Sequence, residues 1–160
     1  MTVERASGPA IRPLTVDDAA PAAALHAHTM PDPWGERAWA GFIADPLVVA
    51  LGAESAGRLV GAVLIRAVAG EAEVLTIVVS DTRRRQGVGA RLLSHGLEIA
   101  SGRGAETAFL EVAVDNVAAR KLYENAGFIE IGRRSGYYRR PEGAVDAIRM
   151  SRALQSRQAE

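Results

Sequence analysis

The stretch that decides the fold is Arg84-Arg85-Gln86-Gly87-Val88-Gly89-Ala90, a basic turn that carries two glycines. It follows an apolar segment, residues 73–79, whose length and β-branched content favour a strand. After it, apolar residues recur at the spacings of an amphipathic helix over residues 87–101. Such a turn brings free backbone amides together with the positive end of the helix dipole. We therefore expect it to bind a diphosphate. The alternative is a glycine turn with a solvated basic run.

The segments on either side of this turn fit a single mixed α/β domain with a mostly antiparallel central sheet and flanking helices. A helical start is followed by an antiparallel meander and then by a β-α-β-α-β-β order. We place this domain at residues 11–152, with a flexible segment over 1–10 and a tail over 153–160. Strands are expected over residues 11–14, 48–53, 59–67, 73–79, 107–114, 128–133 and 145–150, and helices over 15–28, 36–44, 87–101 and 116–125.

Composition and charge exclude several classes of protein. The chain has 160 residues with 19 basic and 19 acidic side chains and no cysteine. It therefore lacks the basic excess of a protein that binds nucleic acid or a membrane surface, and it has no thiolate or disulfide. No apolar run reaches the roughly 20 residues of a membrane span, and the N-terminus is polar, so we expect a cytoplasmic protein. His26 and His28 point about 200° apart on a helix, so we expect surface or cleft residues and no metal site.

Two motifs of this sequence resemble those of the GNAT acetyltransferase superfamily. Arg84-x-x-Gly87-x-Gly89 resembles the Gln/Arg-x-x-Gly-x-Gly/Ala signature with which that family binds acetyl-CoA. The segment Asn116-x-x-Ala119-x-x-Leu122-Tyr123-x-x-x-Gly127-Phe128 is similar to the family's second motif, in register. The resemblance implies the acyl-CoA N-acyltransferase fold of that family. It also implies an N-acetyltransferase that uses acetyl-CoA as co-substrate and no metal.

A narrower resemblance concerns the acceptor. Leu110-Glu111-Val112, Tyr137-Tyr138, Asp146-Ala147-Ile148-x-Met150 and the Pro-Trp loop over 30–36 are similar to segments of the ribosomal-protein alanine N-acetyltransferases. Ala113 stands where that group has Arg, Gly35 replaces Ser, and the Pro-Trp loop is longer. The resemblance implies that the acceptor is a peptide or protein N-terminus, on a ribosomal protein, and that the enzyme is a monomer or weak homodimer. A small-molecule amine, a lysine side chain and a non-catalytic acetyl-CoA-binding module are the alternatives.

Glu111 and Tyr123 are the candidate catalytic groups. An α-amine has a pKa of about 8, so one carboxylate, directly or through water, can accept its proton. Glu111 ends a strand that looks buried, and the resemblance assigns this role to its position. A phenol with a pKa of about 10 can protonate a thiolate whose conjugate acid lies near 8.5, and the family places Tyr123 beside the coenzyme sulfur. The alternatives are a structural or orienting carboxylate and a core tyrosine.

Two further groups of residues are candidates for binding. Residues 1–82 carry 10 acidic and 5 basic side chains, and residues 83–160 carry 9 and 14. We therefore expect the basic half to meet the diphosphate and the loops of the acidic half to meet a cationic amine. Coenzyme contacts are expected from Ile77, Val78, Val79, Arg84, Arg85, Gln86, Gly87, Val88, Gly89, Ala90 and Asn116. Acceptor contacts are expected from Trp34, Glu36, Tyr137 and Tyr138.

Other interpretations of nearby residues stay open. Trp34 and Trp39 are alternatively core residues. We expect a solvated hairpin face from four arginines, which alternatively contact a phosphate or an acidic partner: Arg133, Arg134, Arg139 and Arg140.

Overall fold

Seven strands form one sheet in the computed structural model, which describes residues 8–155. In chain order they are β1 (Ala10–Pro13), β2 (Val48–Ser55), β3 (Arg58–Val68), β4 (Glu71–Val79), β5 (Thr107–Ala113), β6 (Ile129–Arg140) and β7 (Gly143–Ala153). Their order in the sheet is β1-β2-β3-β4-β5-β7-β6, and each neighbouring pair is antiparallel except β4 with β5. The expected mixed α/β class with a mostly antiparallel sheet is confirmed.

Helices cover both faces of the sheet. They are α1 (Ala19–Thr29), α2 (Glu36–Ala44), α3 (Val88–Gly102) and α4 (Val117–Asn125). Strand β3 alternates between two cores, with Val63 and Ile65 in the core below α3, and Ala62 and Leu64 in the core below α1 and α2. Because β3 is buried on both faces, its sequence is almost continuously apolar.

The ends of the chain lie only partly within the described residues. Of the segments expected at residues 1–10 and 153–160, residues 1–7 and 156–160 lie outside them. The carbonyl of Pro9 accepts a hydrogen bond of 2.8 Å from the Arg91 side chain. Between residues 8 and 155, no helix combines the length and the apolar character needed to cross a membrane.

The parallel pairing of β4 with β5 is short. It joins Glu71 to Thr107, Ala72 to Ala108 and Glu73 to Phe109, and then it ends. On the other side of β4, Val74 and Thr76 pair with adjacent residues of β3, so that Leu75 is an extra residue that bulges the strand. A bulge bends and twists the strand that carries it. The two strands therefore separate and leave a central cleft between residues 74–79 of β4 and 110–113 of β5.

The hairpin of β6 and β7 is longer than the sequence predicts. The expected strands, 128–133 and 145–150, are replaced by Ile129–Arg140 and Gly143–Ala153, with the turn at residues 141–142. The register changes between Arg134 and Tyr138, so that three residues of β6 lie opposite one residue of β7. This irregular segment contains glycine and arginine in place of the alternating apolar residues by which a strand is recognised, and the prediction therefore stopped too early.

A partly buried ion pair fixes the first strand to the start of α1. The Arg12 guanidinium donates to both carboxylate oxygens of Asp18, at 2.8 and 2.9 Å, and its Nε donates to Glu54 at 2.7 Å. The backbone N–H of Thr15 also donates to Asp18, at 2.7 Å. The bonds from Arg12, more than the one from Thr15, hold the pKa of Asp18 at about 2.

This pair predicts an acid-dependent loss of stability. We expect Asp18→Asn to lower the free energy of unfolding by about 1–2 kcal/mol at neutral pH. The difference from the wild type should disappear as the pH falls from about 4 to about 2, because Asp18 of the unfolded chain, with a pKa of 3.8, takes up its proton before the folded protein does. Urea denaturation at a series of pH values measures this. Asp17→Asn, at the exposed neighbour, is the control and should change little.

Candidate active site

The basic turn lies where β4, α3 and α4 converge. Gly87 precedes α3 with a φ of 77°, and Arg85 also has a left-handed φ, of 62°. A Cβ on Gly89 would contact Val79 at 3.5 Å and Leu122 at 3.4 Å, which places this residue between the end of β4 and α4. No side chain caps α3, so its first-turn amides are available to an anion.

The polar side chains of this turn are mostly exposed. Arg83 donates to the hydroxyl of Ser55 at 2.8 Å, and Arg84 pairs with Asp81 at 3.0 Å. Arg85, Gln86 and Ala90 are exposed, whereas Val88 belongs to the core. The turn thus presents glycine backbone and exposed cations beside the open end of the central cleft.

The strand edges of the cleft are asymmetric. Ile77 and Val78 are buried and Val79 is half-buried, and all three pair with β3 but not with β5. Their backbone therefore forms an open strand edge that an extended ligand arm can join. Across the cleft, Asn116 accepts a hydrogen bond of 3.2 Å from the N–H of Ala119 and so caps α4.

Glu111 lies on the opposite side of the cleft, on β5. It is opposite Arg149 of β7, and its Oε1 lies 2.9 Å from Nε of Arg134 in an ion pair. A cavity of about 180 Å³ opens beside it, lined by Glu71, Glu73 and Phe109 among others. The carboxylate is therefore accessible to a small cationic group from the face that carries α1 and α2.

Tyr123 is buried on α4, with its ring 5.9 Å from that of Phe128 in an edge-to-face contact. Burial, and then the nearby phenol of Tyr138, raise the pKa of Tyr123, so it is protonated at neutral pH. The phenol can therefore act as a proton donor.

Tyr138 connects the two candidate catalytic groups. Burial raises the pKa of Tyr138, and so does the charge of Glu111. Because Tyr138 in turn acts on Tyr123, the three side chains share one neighbourhood. The exposed ring of Tyr137 contacts that of Tyr138 edge to face, at 5.1 Å.

The expectation of a solvated arginine face on this hairpin holds for three of its four residues. Arg133, Arg134 and Arg139 are exposed, although Arg133 pairs with Glu130 and Arg134 with Glu111. The expectation is wrong for Arg140, which is half-buried and lies 3.8 Å from Asp115 and 5.4 Å from the centre of the Tyr138 ring.

The Pro-Trp loop is held to the sheet by His26, which sequence reasoning missed. His26 was expected at the surface or in a cleft, but it is only 3% exposed. Its Nδ1 accepts a hydrogen bond of 2.8 Å from the backbone N–H of Trp34. Its Nε2 lies 3.2 Å from the hydroxyl of Thr76 on β4. His26 lies on the same helical face as Ala19 and Ala22. That spacing was the signal in the sequence that could have indicated its burial.

The two tryptophans have different surroundings. Trp39 is fully buried, so the core alternative holds for it. Trp34 is half-buried, with its ring 4.9 Å from those of both His26 and Phe42. Glu36 begins α2 and is exposed. In the part of the chain that the structure describes, no group of three His, Cys, Asp or Glu side chains could hold a metal ion.

Comparison with known proteins supplies the family. The model of the Acetyltransferase (GNAT) family matches residues 15–128. The chain belongs to this family. N-alpha-acetyltransferase RimI of Mycobacterium tuberculosis is 39% identical over 125 residues, which cover 76% of each chain. The [ribosomal protein bS18]-alanine N-acetyltransferase of Escherichia coli K12 is 38% identical over 95 residues, 59% of this chain and 64% of that protein. The match thus spans less than two thirds of the E. coli relative's length.

Solved structures agree with this assignment. The crystal structure of the ribosomal-protein-S18-alanine N-acetyltransferase from E. coli has a TM-score of 0.84 at 29% identity, covering 94% of this chain and 98% of that one. Arabidopsis thaliana NAA60 in complex with acetyl-CoA has a TM-score of 0.82 at 18% identity, covering 91% and 98%, and supports the fold alone. The expected resemblance to the GNAT family is confirmed.

The contacts of His26 predict a stability effect in this GNAT chain. We expect His26→Leu to lower the free energy of unfolding by about 1–3 kcal/mol, because it leaves the backbone N–H of Trp34 and the Thr76 hydroxyl without their partner. Denaturation followed by tryptophan fluorescence measures this. His28→Leu, at an exposed position of the same helix, is the control.

The same variant tests the protonation state. Burial lowers the pKa of His26 from 6.5. As the pH falls below that value the unfolded chain takes up the proton first, and the wild type loses stability. His26→Leu should lose less stability than the wild type over this pH range. Equal losses in both proteins would contradict the assignment of a neutral His26.

Proposed function

We propose that this protein transfers the acetyl group of acetyl-CoA to the N-terminal α-amine of a peptide. The proposed acceptor is an N-terminal alanine of the kind that ribosomal proteins carry. The observation that carries the proposal is the grouping of Glu111, Tyr138 and Tyr123 beside the central cleft. The names of the E. coli and M. tuberculosis relatives support the choice of acceptor. A ribosomal acceptor would also place the reaction in the cytoplasm.

The residues of the coenzyme side fit a pantetheine diphosphate. The uncapped amides after Gly87, with Arg84, Arg85 and Gln86 exposed around them, suit the diphosphate. The open edge of β4 at residues 77–79 can pair with the amides of the arm. When bound, acetyl-CoA supplies a thioester whose C–S bond breaks as the new C–N bond forms. An N–H of this edge is the candidate donor to the carbonyl oxygen on which negative charge develops.

Glu111 and Tyr123 divide the proton transfers. The acceptor's ammonium group first loses one proton to solvent. Glu111 then accepts the proton that the neutral amine loses as nitrogen bonds to the acetyl carbon. Tyr123 donates its phenolic proton to the departing sulfur. Exchange with solvent then returns a proton to Tyr123 and removes one from Glu111, so that the neutral amine gives up one proton and the thiol gains one. Burial keeps Tyr123 protonated in the neutral range but also makes it a weaker acid, so its proton moves only as negative charge develops on the sulfur.

Two structures border the acceptor entrance from opposite sides. On the β4 side, His26 fixes the Trp34 loop through Thr76, with Glu36 at the start of the next helix. On the β5 side, Tyr137 and Tyr138 lie near Glu111. Aromatic rings and carboxylates are suited to a cationic peptide terminus, which they hold by packing and by charge.

The central experiment is a panel of acceptors incubated with acetyl-CoA. We expect acetylation of the α-amine of peptides that begin with alanine, detected by mass spectrometry together with thiol release. Peptides with a blocked N-terminus and an internal lysine are the control and should not react. Turnover of small amines or lysine side chains, with no α-amine acetylated, would contradict the peptide proposal.

Substitution of the two candidate catalytic groups tests their roles. We expect Glu111→Gln and Tyr123→Phe each to lower kcat by about 10²- to 10⁴-fold, because each removes one proton transfer. Acetyl-CoA binding, measured by calorimetry, should be retained in both. Glu130→Gln, at an exposed carboxylate on β6 that pairs with Arg133, is the matched control. Unchanged turnover in both variants would show that other groups carry the chemistry.

A further inference from the structure

Arg134 on β6 reaches Glu111 on β5 across the one strand between them, β7. In register, Arg134 lies opposite Ala147 of β7, and Ala147 lies opposite Ala113 of β5. Both alanines are buried and carry only a methyl group, so the long side chain can pass over them. Its Nε ends 2.9 Å from Oε1 of Glu111. Arg149, the direct neighbour of Glu111 on β7, instead lies with its guanidinium 5.2 Å from the centre of the Phe109 ring.

We propose that Arg134 holds the position of the acceptor's ammonium group in the free enzyme and is displaced from Glu111 when the acceptor binds. The inference rests on the proposed function, since it takes Glu111 as the group that meets the amine. A guanidinium stays protonated at every physiological pH and is not itself an acceptor for the acetyl group. It can therefore neutralise the carboxylate without taking part in the reaction.

The ion pair between Arg134 and Glu111 is weak enough for a ligand to displace Arg134. The Arg134 side chain is 53% exposed and that of Glu111 is 24% exposed, and ion pairs open to solvent to this extent are weak. The guanidinium also lies 5.3 Å from the centre of the Tyr137 ring, a cation–π contact that remains when Glu111 is taken by a ligand. The β6 register changes directly after Arg134, so the following backbone is not held by a regular ladder.

Displacement of Arg134 distinguishes the charged substrate from the neutral product. A free N-terminus is cationic and competes with Arg134 for Glu111. The acetylated product carries a neutral amide, cannot compete, and leaves the carboxylate to Arg134. The ion pair therefore lowers the affinity for the charged substrate, which must displace Arg134, and leaves the affinity for the neutral product nearly unchanged. Arg134 is thus a positioning residue that occupies Glu111 whenever no ammonium group is bound.

The test compares R134Q with R133Q. Arg133 precedes Arg134 on β6, pairs with the exposed Glu130 at 2.6 Å, and lies opposite Ile148 of the other core. R133Q therefore removes the same charge as R134Q, but from the opposite face of the sheet. We expect R134Q to lower KM for an alanine-initiated peptide about two- to fivefold, the range for a weak ion pair, with kcat within about twofold of the wild type. R133Q should match the wild type in both constants.

Binding and a conservative variant separate this role from a structural one. In calorimetry on the CoA-saturated enzyme, R134Q should gain the same factor in affinity for the free-amine peptide and little for the N-acetylated peptide. R134K keeps a competing charge and should restore a KM near that of the wild type. A fall in kcat with KM unchanged in R134Q would show that Arg134 only orients Glu111, and would overturn the proposal.

The two proposals fail in different ways. If the wild type acetylates only small amines, the peptide function is wrong, and the KM comparison is repeated with the amine that reacts. If R134Q shows no gain for any cationic acceptor, or gains equally for free-amine and acetylated peptides, the displacement is wrong while the acetyl transfer stands. Absence of turnover of every amine by the wild type would contradict both.

Discussion

The early end of the pairing between β4 and β5 is the constraint on which the site depends. Three residue pairs join the strands, and the extra residue Leu75 then bends β4 away from β5. If the ladder continued, the backbone of residues 77–79 would be paired with β5 and Glu111 would lie within a closed sheet. Because it ends, one strand keeps an open edge and the other exposes a carboxylate to the same cleft. The fold thereby brings the proposed coenzyme surface and the candidate acid and base together without any long loop.

The separation of the strands also requires support from both sides. On the β4 side, His26 connects α1, the Trp34 backbone and Thr76 in one buried hydrogen-bonded chain. On the β5 side, the irregular β6 places its tyrosines and Arg134 beside Glu111. The first support is buried and hydrogen-bonded, whereas the second is more exposed and charged. We infer that the β4 side is the fixed wall of the cleft and the β5 side the one that adjusts to ligands.

The sequence predicted most of the fold because its elements carry local signals. The apolar periodicity of α3, the glycine at its start and the doubly buried β3 all follow from spacing alone, and the Asn116 cap follows from residue type. The hairpin extension and the bulge at Leu75 could not be predicted, because register depends on contacts between distant strands. The burial of His26 and the reach of Arg134 were missed for the same reason: each depends on small residues elsewhere in the chain. The basic turn was recognised from its glycines and the helix that follows it, whereas the role of Tyr123 was found through the resemblance to the GNAT family.

Net charge by chain half describes this site poorly. The division at the basic turn suggested a basic half for the diphosphate and an acidic half for the amine. The cavity beside Glu111 instead mixes the two, with Glu71 and Glu73 from the first half and Arg134 and Arg149 from the second. A cation placed directly on the candidate base is unfavourable for binding an amine if charge attraction is the only consideration. The same arginine keeps the carboxylate paired once the neutral amide has formed, because it then returns to Glu111. The local balance at Glu111, more than the neutral sum over the chain, is therefore the electrostatic property that bears on function.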